Sequence, residues 1–218
     1  MAPHLISNLS VTVKQQAHPV MLQDAHWIWG GVDPRPINAF RLFRREFELE
    51  DLPGSADILT FAEFRYKLYI NGRFVQTGPT PCRPEHWLLD RHDVKPFLRP
   101  GRNCLGFTVH CPGSMTGQWT QVNPALFAAL LLDREVEVGS DASWHTCAGD
   151  AWQHPTQICG YAKGFHEWLD LKQMPQAWTE SGFDAAGWEA AVELPFYYQG
   201  ETLGENYSGY PTLVLHSP

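Results

Sequence analysis

Residues 65–110 read RYKLYINGRFVQTGPTPCRPEHWLLDRHDVKPFLRPGRNCLGFTVH, and this stretch decides the fold of the chain. Its Asn71-Gly72 pair lies between two segments of alternating character, YKLYI and RFVQ. Asn and Gly tolerate the positive φ angles that a two-residue hairpin turn requires at both central positions. We therefore expect a β-hairpin in which Ile70 lies opposite Arg73.

The predicted hairpin assigns its side chains to two faces. With a two-residue loop, Leu68 is expected opposite Val75, and Tyr66, Leu68, Ile70 and Val75 share one face. Because these side chains are largely apolar, this face should be the core face. Residues 105–109 alternate in the same way and predict another strand of the same sheet.

Further strands are predicted on both sides of this stretch. Residues 40–50, FRLFRREFELE, alternate apolar and charged side chains and predict a strand with one charged face. Residues 125–133, ALFAALLLD, could form a helix by composition, but their short length between turn-rich loops favours a buried strand. Residues 135–138, residues 143–148 and the final YPTLVLH are also expected to be strands.

Between residues 151 and 195 the alternation weakens and Trp is frequent, which predicts an irregular, aromatic-rich layer. Within it, Asp184 can act as the N-cap of a short helical turn, AAGWEAA. The whole pattern predicts an all-β protein, an antiparallel β-sandwich of jelly-roll type. We expect residues 1–24 to form an N-terminal arm or edge strand and residues 25–218 to form a single β-sandwich domain.

Composition and charge argue against several functions. The formal net charge is −8, and no basic run is longer than Arg44-Arg45, which argues against a nucleic-acid or anionic-membrane partner. No apolar stretch reaches the ~18–20 residues of a membrane span. Since the N-terminus also lacks a secretory signal, the expected location is the cytoplasm. Five Cys without CxxC spacing indicate buried thiols rather than a zinc site or a disulfide framework.

Two patches of sequence resemble one family of carbohydrate enzymes in the order and spacing of their motifs. The first patch comprises YKLYINGR (66–73), GP (78–79), His86-Trp87, Asp90, Asp93-Val94 and LRPGRN (98–103). The second comprises HEWLD (166–170), Trp178 and GFDAAGW (182–188). Together they resemble the N-terminal β-sandwich of bacterial α-L-rhamnosidases, a module of the galactose-binding-like jelly-roll group.

The resemblance implies a module that binds carbohydrate, such as a rhamnose-containing glycan, or that positions a downstream catalytic domain. In the family, the inverting acid and base lie in a later (α/α)6 barrel, so no catalytic residue is expected in these 218 residues. Ala185-Ala186 and Leu171-Lys172 depart from the family pattern. The alternative is an independent lectin-like or scaffold β-sandwich that acts through a protein partner.

The connection that contains residues 83–90 is the candidate contact site. Trp87 can stack on a sugar ring, Arg83 and His86 can donate hydrogen bonds to its hydroxyls, and Glu85 and Asp90 can accept them. Long connections carry such adaptable groups more often than sheet faces do. The same cluster could instead dock against a neighbouring domain or pack beneath its own loop.

No cofactor or metal ligand is identified by the sequence. Asp90 and Asp93 could form a pair of carboxylates, but they are expected to bracket a turn and to bond nearby backbone N–H groups. The ten His residues show no HExxH or His-x-His grouping. Jelly-roll sugar modules often hold a structural calcium ion, and the sequence leaves calcium open because no Asp-rich loop identifies its ligands.

Overall fold

The computed structural model describes residues 24–31, 33, 36–80, 88–114, 123–154, 156–160, 163–194 and 214–215. Within these ranges the chain forms one short 3-10 helix, Lys95–Phe97, and fifteen strands. The strands are β1 (Ile28–Trp29), β2 (Ala39–Leu49), β3 (Ala56–Glu63), β4 (Arg65–Ile70), β5 (Arg73–Gly78), β6 (Leu88–Asp93), β7 (Gly101–Cys111), β8 (Ala125–Leu132), β9 (Glu135–Gly139), β10 (His145–Ala148), β11 (Ile158–Gly160), β12 (Gly164–Phe165), β13 (Glu189–Ala190), β14 (Val192–Glu193) and β15 (Val214–Leu215).

Two sheets pack face to face. The first has the strand order β14-β1-β8-β3-β6-β15, with β9 also paired to β8, and the second has the order β13-β10-β2-β7-β4-β5. Their described pairings are antiparallel except for β15, which runs parallel to β6. The predicted all-β, antiparallel sandwich is therefore confirmed. No helix in the described ranges is long and apolar enough to cross a membrane.

The main core lies between the two sheets. Phe43, Leu68 and Phe107 enter it from the second sheet and are fully buried. Ile58 and Leu130 enter it from the first sheet and are equally inaccessible. Strands β2, β4 and β7 are central to the second sheet, so their alternating apolar positions meet this core directly.

Strand β8 is buried on both of its faces. Leu130 packs in the main core, whereas Phe127 faces the other way and contacts the rings of Trp27 and Phe61. A strand with two buried faces needs no polar alternation, which explains the unbroken apolar run ALFAALLL. The prediction of a buried strand here is confirmed.

The Asn71-Gly72 turn has the predicted geometry. Asn71 and Gly72 have φ angles of 50° and 76°, and Ile70 lies opposite Arg73. The Asn71 side chain also donates a hydrogen bond to the Phe97 carbonyl oxygen at 2.9 Å. This bond ties the turn to the 3-10 helix.

Further from the turn, the register differs from the prediction. A bulge between Leu68 and Tyr69 places Leu68 opposite Gln76 instead of Val75. Strand β5 is an edge strand, where bulges are common because one side of the strand has no partner to enforce register. Val75 nevertheless packs against the main core, so its side chain lies on the predicted face.

Replacement of Gly72 by Val is expected to lower the free energy of unfolding by more than about 1 kcal/mol, because a β-branched side chain is strained at positive φ. A Cβ atom at position 72 would also lie 2.9 Å from Cγ of Glu180. Gly72→Asn is the matched control, since Asn tolerates this φ but meets the same neighbour. Equal urea midpoints for Gly72→Val and the parent would contradict the hairpin assignment.

The predicted charged face of β2 is solvated at one end and covered at the other. Glu48 is exposed, whereas Arg44 is 3% exposed because the irregular layer covers it. Its guanidinium donates to the carbonyl oxygens of Trp178 and Glu180, both at 3.0 Å, and pairs with Glu46 at 2.5 Å. A charged side chain is stable there because each hydrogen bond replaces a lost contact with water.

The irregular layer agrees with the prediction, and the expected short turn after Asp184 is a single hydrogen-bonded turn and not a helix, closed by the Trp188 N–H and the Ala185 carbonyl at 2.9 Å. Oδ1 of Asp184 accepts a hydrogen bond from the Ala186 N–H at 2.9 Å, so Asp184 does shape a turn. The chain then enters β13, where Glu189 pairs with Thr146. Pairing to the sheet edge replaces the helix because these few residues cannot complete a stable helix on their own.

Other predictions are met in part. Val214–Leu215 forms the expected final strand. Cys104 and Cys111 are buried thiols, whereas Cys159 is exposed. The predicted N-terminal arm lies outside the described residues apart from Asp24, so the domain boundary near residue 25 remains a prediction.

Candidate functional site

Of the predicted contact residues, the structure describes Asp90. The other four, Arg83, Glu85, His86 and Trp87, lie outside the described residues. Asp90 is not in a turn as expected: it lies in β6 opposite Thr60 and is 7% exposed. Asp93 does shape a turn, because its Oδ1 accepts a hydrogen bond from the Lys95 N–H at 3.1 Å.

Asp90 belongs to a buried hydrogen-bond network. The Tyr66 hydroxyl donates to Oδ2 of Asp90 at 2.5 Å and lies 2.9 Å from Nε2 of His92. Since that hydroxyl has one hydrogen to give, Nε2 of His92 is the donor in the second bond. Burial, followed by the Asp90 charge, raises the pKa of Tyr66, and burial lowers the pKa of His92. The network is a structural support, and its carboxylate is already occupied.

Beside this network lies a cavity of about 390 Å³, here called the first cleft. It lies over the outer face of the second sheet, at the end where β2 begins. Directly paired residues of β2, β7, β4 and β5 form two rows across it: Phe40, His110 and Arg65 in one row, and Thr108, Lys67 and Thr77 in the next. Strand pairing alone therefore brings these six side chains to one place.

Phe40 forms a rigid wall of the first cleft. Its ring stacks on His110 with centroids 4.1 Å apart and on Trp152 with centroids 4.4 Å apart. The rings are parallel within 11° and 4°. Two rings this close and this parallel must cover opposite faces of Phe40. A ligand can therefore reach the edge of this ring but not its faces.

His110 is held in one tautomer by Asn38. Nε2 of His110 lies 2.9 Å from Oδ1 of Asn38, while the Asn38 amide nitrogen donates to Oγ1 of Thr156. Oδ1 can only accept, so Nε2 of His110 carries the hydrogen. Burial, reinforced by the nearby positive charges of Arg65 and other basic groups, lowers the pKa of His110 to about 4. His110 is thus neutral at pH 7.

The lowered pKa of His110 predicts a pH dependence of stability. The pKa of His110 is 6.5 in the unfolded chain and about 4 in the folded chain. Between pH 6.5 and about pH 4, the unfolded chain therefore binds a proton at His110 that the folded chain does not. Stability should therefore fall as the pH falls through this range, by about 2–3 kcal/mol from this residue alone. Urea unfolding at pH 7 and pH 4.5 should show this loss reduced in His110→Gln but unchanged in His166→Gln, a variant of an exposed histidine. Equal losses in His110→Gln and the parent would contradict the assignment.

Glu167 supplies the acidic side of the first cleft. Its Oε1 accepts a hydrogen bond from the Trp152 indole at 2.9 Å, which fixes the carboxylate above the sheet. Sequence reasoning missed Glu167 as a site residue, although it lies in the HEWLD patch. The signal was the position of an acid between aromatic residues in a loop that contacts the sheet.

Arg65 and Lys67 were also missed as site residues. They alternate with the buried Tyr66 and Leu68 in β4, so they reach the outer face, where most charged side chains are simply solvated. Their role depends on the irregular layer, which builds the wall that contains Glu167. Nothing within β4 itself marks that wall.

The first cleft offers a ligand both donors and acceptors. Arg65 and Lys67 are donors, Glu167 is an acceptor, and the hydroxyls of Thr77 and Thr108 can act as either. Its volume lies in the range of small-molecule sites, about 300–1,000 Å³. Such a surface suits a polyhydroxylated ligand. Among the described residues, no three His, Cys, Asp or Glu side chains are grouped to hold a metal ion.

The first cleft lies beside described residues that flank the predicted contact segment in sequence. Gly78 and Pro79 line the cleft, and the chain continues from there into residues 81–87. A Cβ atom at Gly78 would lie 2.2 Å from Oδ2 of Asp90, so the rim of the cleft packs directly on the buried network. The cavity therefore lies next to Gly78 and close to Asp90, the described residues on either side of residues 81–87.

Comparison with solved structures places this fold among carbohydrate-related proteins. A GH78 family rhamnosidase of Bacillus sp. GL1 is 28% identical, with a TM-score of 0.76, and the match covers 88% of this chain and 20% of that protein. An α-L-rhamnosidase from Aspergillus terreus is 24% identical, with a TM-score of 0.62 over 79% of this chain and 21% of that enzyme. The predicted resemblance to a module of α-L-rhamnosidases is confirmed.

The fold also occurs in a lectin. A lectin from Pleurotus ostreatus, solved in complex with GalNAc, is 19% identical with a TM-score of 0.57, and the match covers 94% of this chain and 51% of the lectin. At this identity the likeness concerns the fold alone. The chain spans about a fifth of the length of the two rhamnosidases. The sequence matches no protein-family profile and no curated protein.

Proposed function

We propose that this chain is a non-catalytic carbohydrate-binding module of an α-L-rhamnosidase-like glycoside hydrolase, and that the first cleft binds a rhamnose-containing glycan. The observation that carries the proposal is the composition of this cleft, in which donors and acceptors surround a rigid aromatic wall. The likeness to the rhamnosidases supports the choice of ligand.

The carboxylates support a binding role over a catalytic one. Glycoside hydrolysis generally uses two carboxyl groups on either side of the scissile bond. Among the described residues that line the first cleft, Glu167 is the one carboxylate, and Asp90 is bonded to Tyr66 behind it. Purified residues 1–218 should therefore release no product from an aryl α-L-rhamnoside. Turnover that follows the purified protein through chromatography would overturn the non-catalytic assignment.

Binding can be tested by titration with L-rhamnose while amide chemical shifts are followed by NMR. We expect the amides of β4 and β7 beside the first cleft to shift. Lys67→Met should weaken binding by about tenfold, the effect of losing a hydrogen bond from a charged group. Lys67 and Lys172 are both exposed, so Lys172→Met is the matched control and should leave the affinity unchanged.

The same titration separates this cleft from the loop predicted by the sequence. Trp87→Ala removes the proposed stacking side chain of that loop, and the remaining loop proposals are Arg83, Glu85, His86 and Asp90. If Trp87→Ala abolishes binding while Lys67→Met has no effect, the contact belongs to the loop. Parallel titrations with and without calcium test whether the ion is part of the module.

If no sugar shifts any amide resonance in the NMR titration, positioning of a neighbouring domain is the better proposal for the function. Trp168 and Leu171 are then the side chains to examine, because they are 63% and 67% exposed on the irregular layer. Large apolar side chains this exposed are typical of surfaces that another domain covers.

A further inference from the structure

A second cleft of about 330 Å³ lies on the other side of Phe40. Its walls include Trp29, Arg41, Asp150 and His154, and Phe40 lines it as well as the first cleft. Both clefts are at the end of the sandwich where β2 begins. Because both faces of Phe40 are covered by His110 and Trp152, this ring forms a fixed partition between the two cavities.

Arg41 is the central polar group of the second cleft. Its side chain is 9% exposed, Nε donates to Oγ1 of Thr146 at 3.2 Å, and Nη2 pairs with Glu189. Nη1 is not one of the described buried atoms that lack a partner, so no unpaired donor is left inside the fold at Arg41. Because Arg41 lines the cavity, its guanidinium can still offer a donor to a ligand there.

Two glycines allow the guanidinium to reach this position. A Cβ atom at Gly31 would lie 2.6 Å from Nη1 of Arg41, and one at Gly30 would lie 2.7 Å from Nη2. Any larger residue would displace the guanidinium from the cleft wall. Gly31 also has a φ angle of 81°, which favours glycine independently of space.

Asp150 provides an acceptor in the same cleft. It is exposed, and among the described residues its carboxylate has no hydrogen-bond donor. The turn that carries it is fixed by two backbone bonds, from the Gly149 N–H to the Phe40 carbonyl at 2.7 Å and from the Trp152 N–H to the Gly149 carbonyl at 2.9 Å. The acceptor therefore stands on a rigid support.

The charges of the second cleft select a neutral ligand. Arg41 is already paired with Glu189, so the further carboxylate of Asp150 would repel an acidic group. A sugar ring can instead accept a hydrogen bond from Nη1 of Arg41 and donate one to Asp150. The exposed imidazole of His154 adds a flat surface at the mouth of the cleft.

We propose that the second cleft is a subsite for a neutral sugar residue, so that the chain binds an oligosaccharide across both clefts and not one monosaccharide. This inference rests on the proposed function, because it assumes that the first cleft binds sugar. It adds a second set of contacts, centred on Arg41 and Asp150, and a preference for ligand length.

The test compares L-rhamnose with the neutral disaccharide α-L-rhamnosyl-D-glucose by NMR titration. The disaccharide should bind more tightly than the monosaccharide and should shift the amides of residues 148–154. Asp150→Asn should weaken disaccharide binding by at least about fivefold, as expected for a lost hydrogen bond to a charged group. The affinity for L-rhamnose should not change.

Two more variants sharpen this test. Ala148 is exposed and lines the cleft, so Ala148→Phe should fill the cavity and remove the advantage of the disaccharide. Glu48 is an exposed carboxylate near the opposite end of β2, and Glu48→Gln should have no effect. Near-UV circular dichroism would verify that each variant is folded.

Each outcome separates the two proposals. If the first cleft shifts, residues 148–154 stay silent and the disaccharide binds no better than L-rhamnose, the second subsite is wrong and the proposed function stands. If residues 148–154 shift and the first cleft does not, the second cleft binds sugar alone and the oligosaccharide inference fails. If neither ligand shifts either cleft, both proposals fail.

Discussion

Replacement of Arg44 by Ala is expected to lower the free energy of unfolding by about 3–5 kcal/mol, the cost of breaking a buried charged contact. Arg44 holds the irregular layer to the second sheet through the carbonyl oxygens of Trp178 and Glu180, both 3.0 Å away. Its loss would leave these oxygens covered and unpaired, and Glu46 would lose its ion-pair partner while keeping the hydrogen bond from the Gly182 N–H. Urea unfolding followed by Trp fluorescence would measure the change.

Arg45 is the matched control for this experiment. It is the next residue of β2 and points to the opposite face, where Nη1 makes one long, exposed hydrogen bond to the Ser143 carbonyl at 3.4 Å and Nε is buried without a partner among the described residues. Removing an unsatisfied donor is nearly neutral or stabilising, so Arg45→Met should change stability by less than about 1 kcal/mol. Equal losses for Arg44→Ala and Arg45→Met would mean that Arg44 does not anchor the layer.

The second large effect is expected at Phe40, where replacement by Ala should cost about 3–5 kcal/mol. The ring is buried and its two faces stack on His110 and Trp152. Removing it leaves a cavity, and each lost aromatic contact adds about 0.5–1.5 kcal/mol beyond the loss of burial. Thermal and urea unfolding would both register this loss.

Phe74 is the comparison residue for Phe40. It is 52% exposed, and its ring contacts Tyr69 edge-on with centroids 5.8 Å apart. Phe74→Ala should therefore cost less than about 1 kcal/mol, as is usual for exposed positions away from special contacts. If Phe40→Ala lowers the free energy of unfolding no more than Phe74→Ala does, the stacked Phe40 ring does not stabilise the fold.

The first cleft illustrates how little of a binding site can be predicted from a single sequence. The predicted site, residues 83–90, was chosen because polar and aromatic residues are dense there, and those residues apart from Asp90 are outside the described structure. The residues that the structure brings together, such as Lys67, Thr108 and Glu167, are far apart in sequence and individually unremarkable. Their proximity results from strand pairing and from the Trp152 to Glu167 hydrogen bond.

Buried charge was the other feature that tertiary structure decided. Alternation in β2 predicted a strand with one charged face, with Phe43 and Arg44 on opposite sides, but it gave no sign that Arg44 would be buried. The covering layer comes from a segment more than 100 residues later in the chain, and its contact with β2 leaves no local pattern. Asp90 was misplaced for a similar reason, since its partner Tyr66 lies on a different strand in the opposite sheet.

The sequence by itself determined the all-β class, the Asn71-Gly72 turn and the inward faces of β2, β4 and β7. These features follow from local steric preferences and from the two-residue period of a strand, which each segment carries independently. Tertiary structure alone decided the bulge beside Leu68, the burial of Arg44, and the two clefts on either side of Phe40. Those features depend on which distant segments meet, and that is set by packing of the whole chain rather than by any stretch of it.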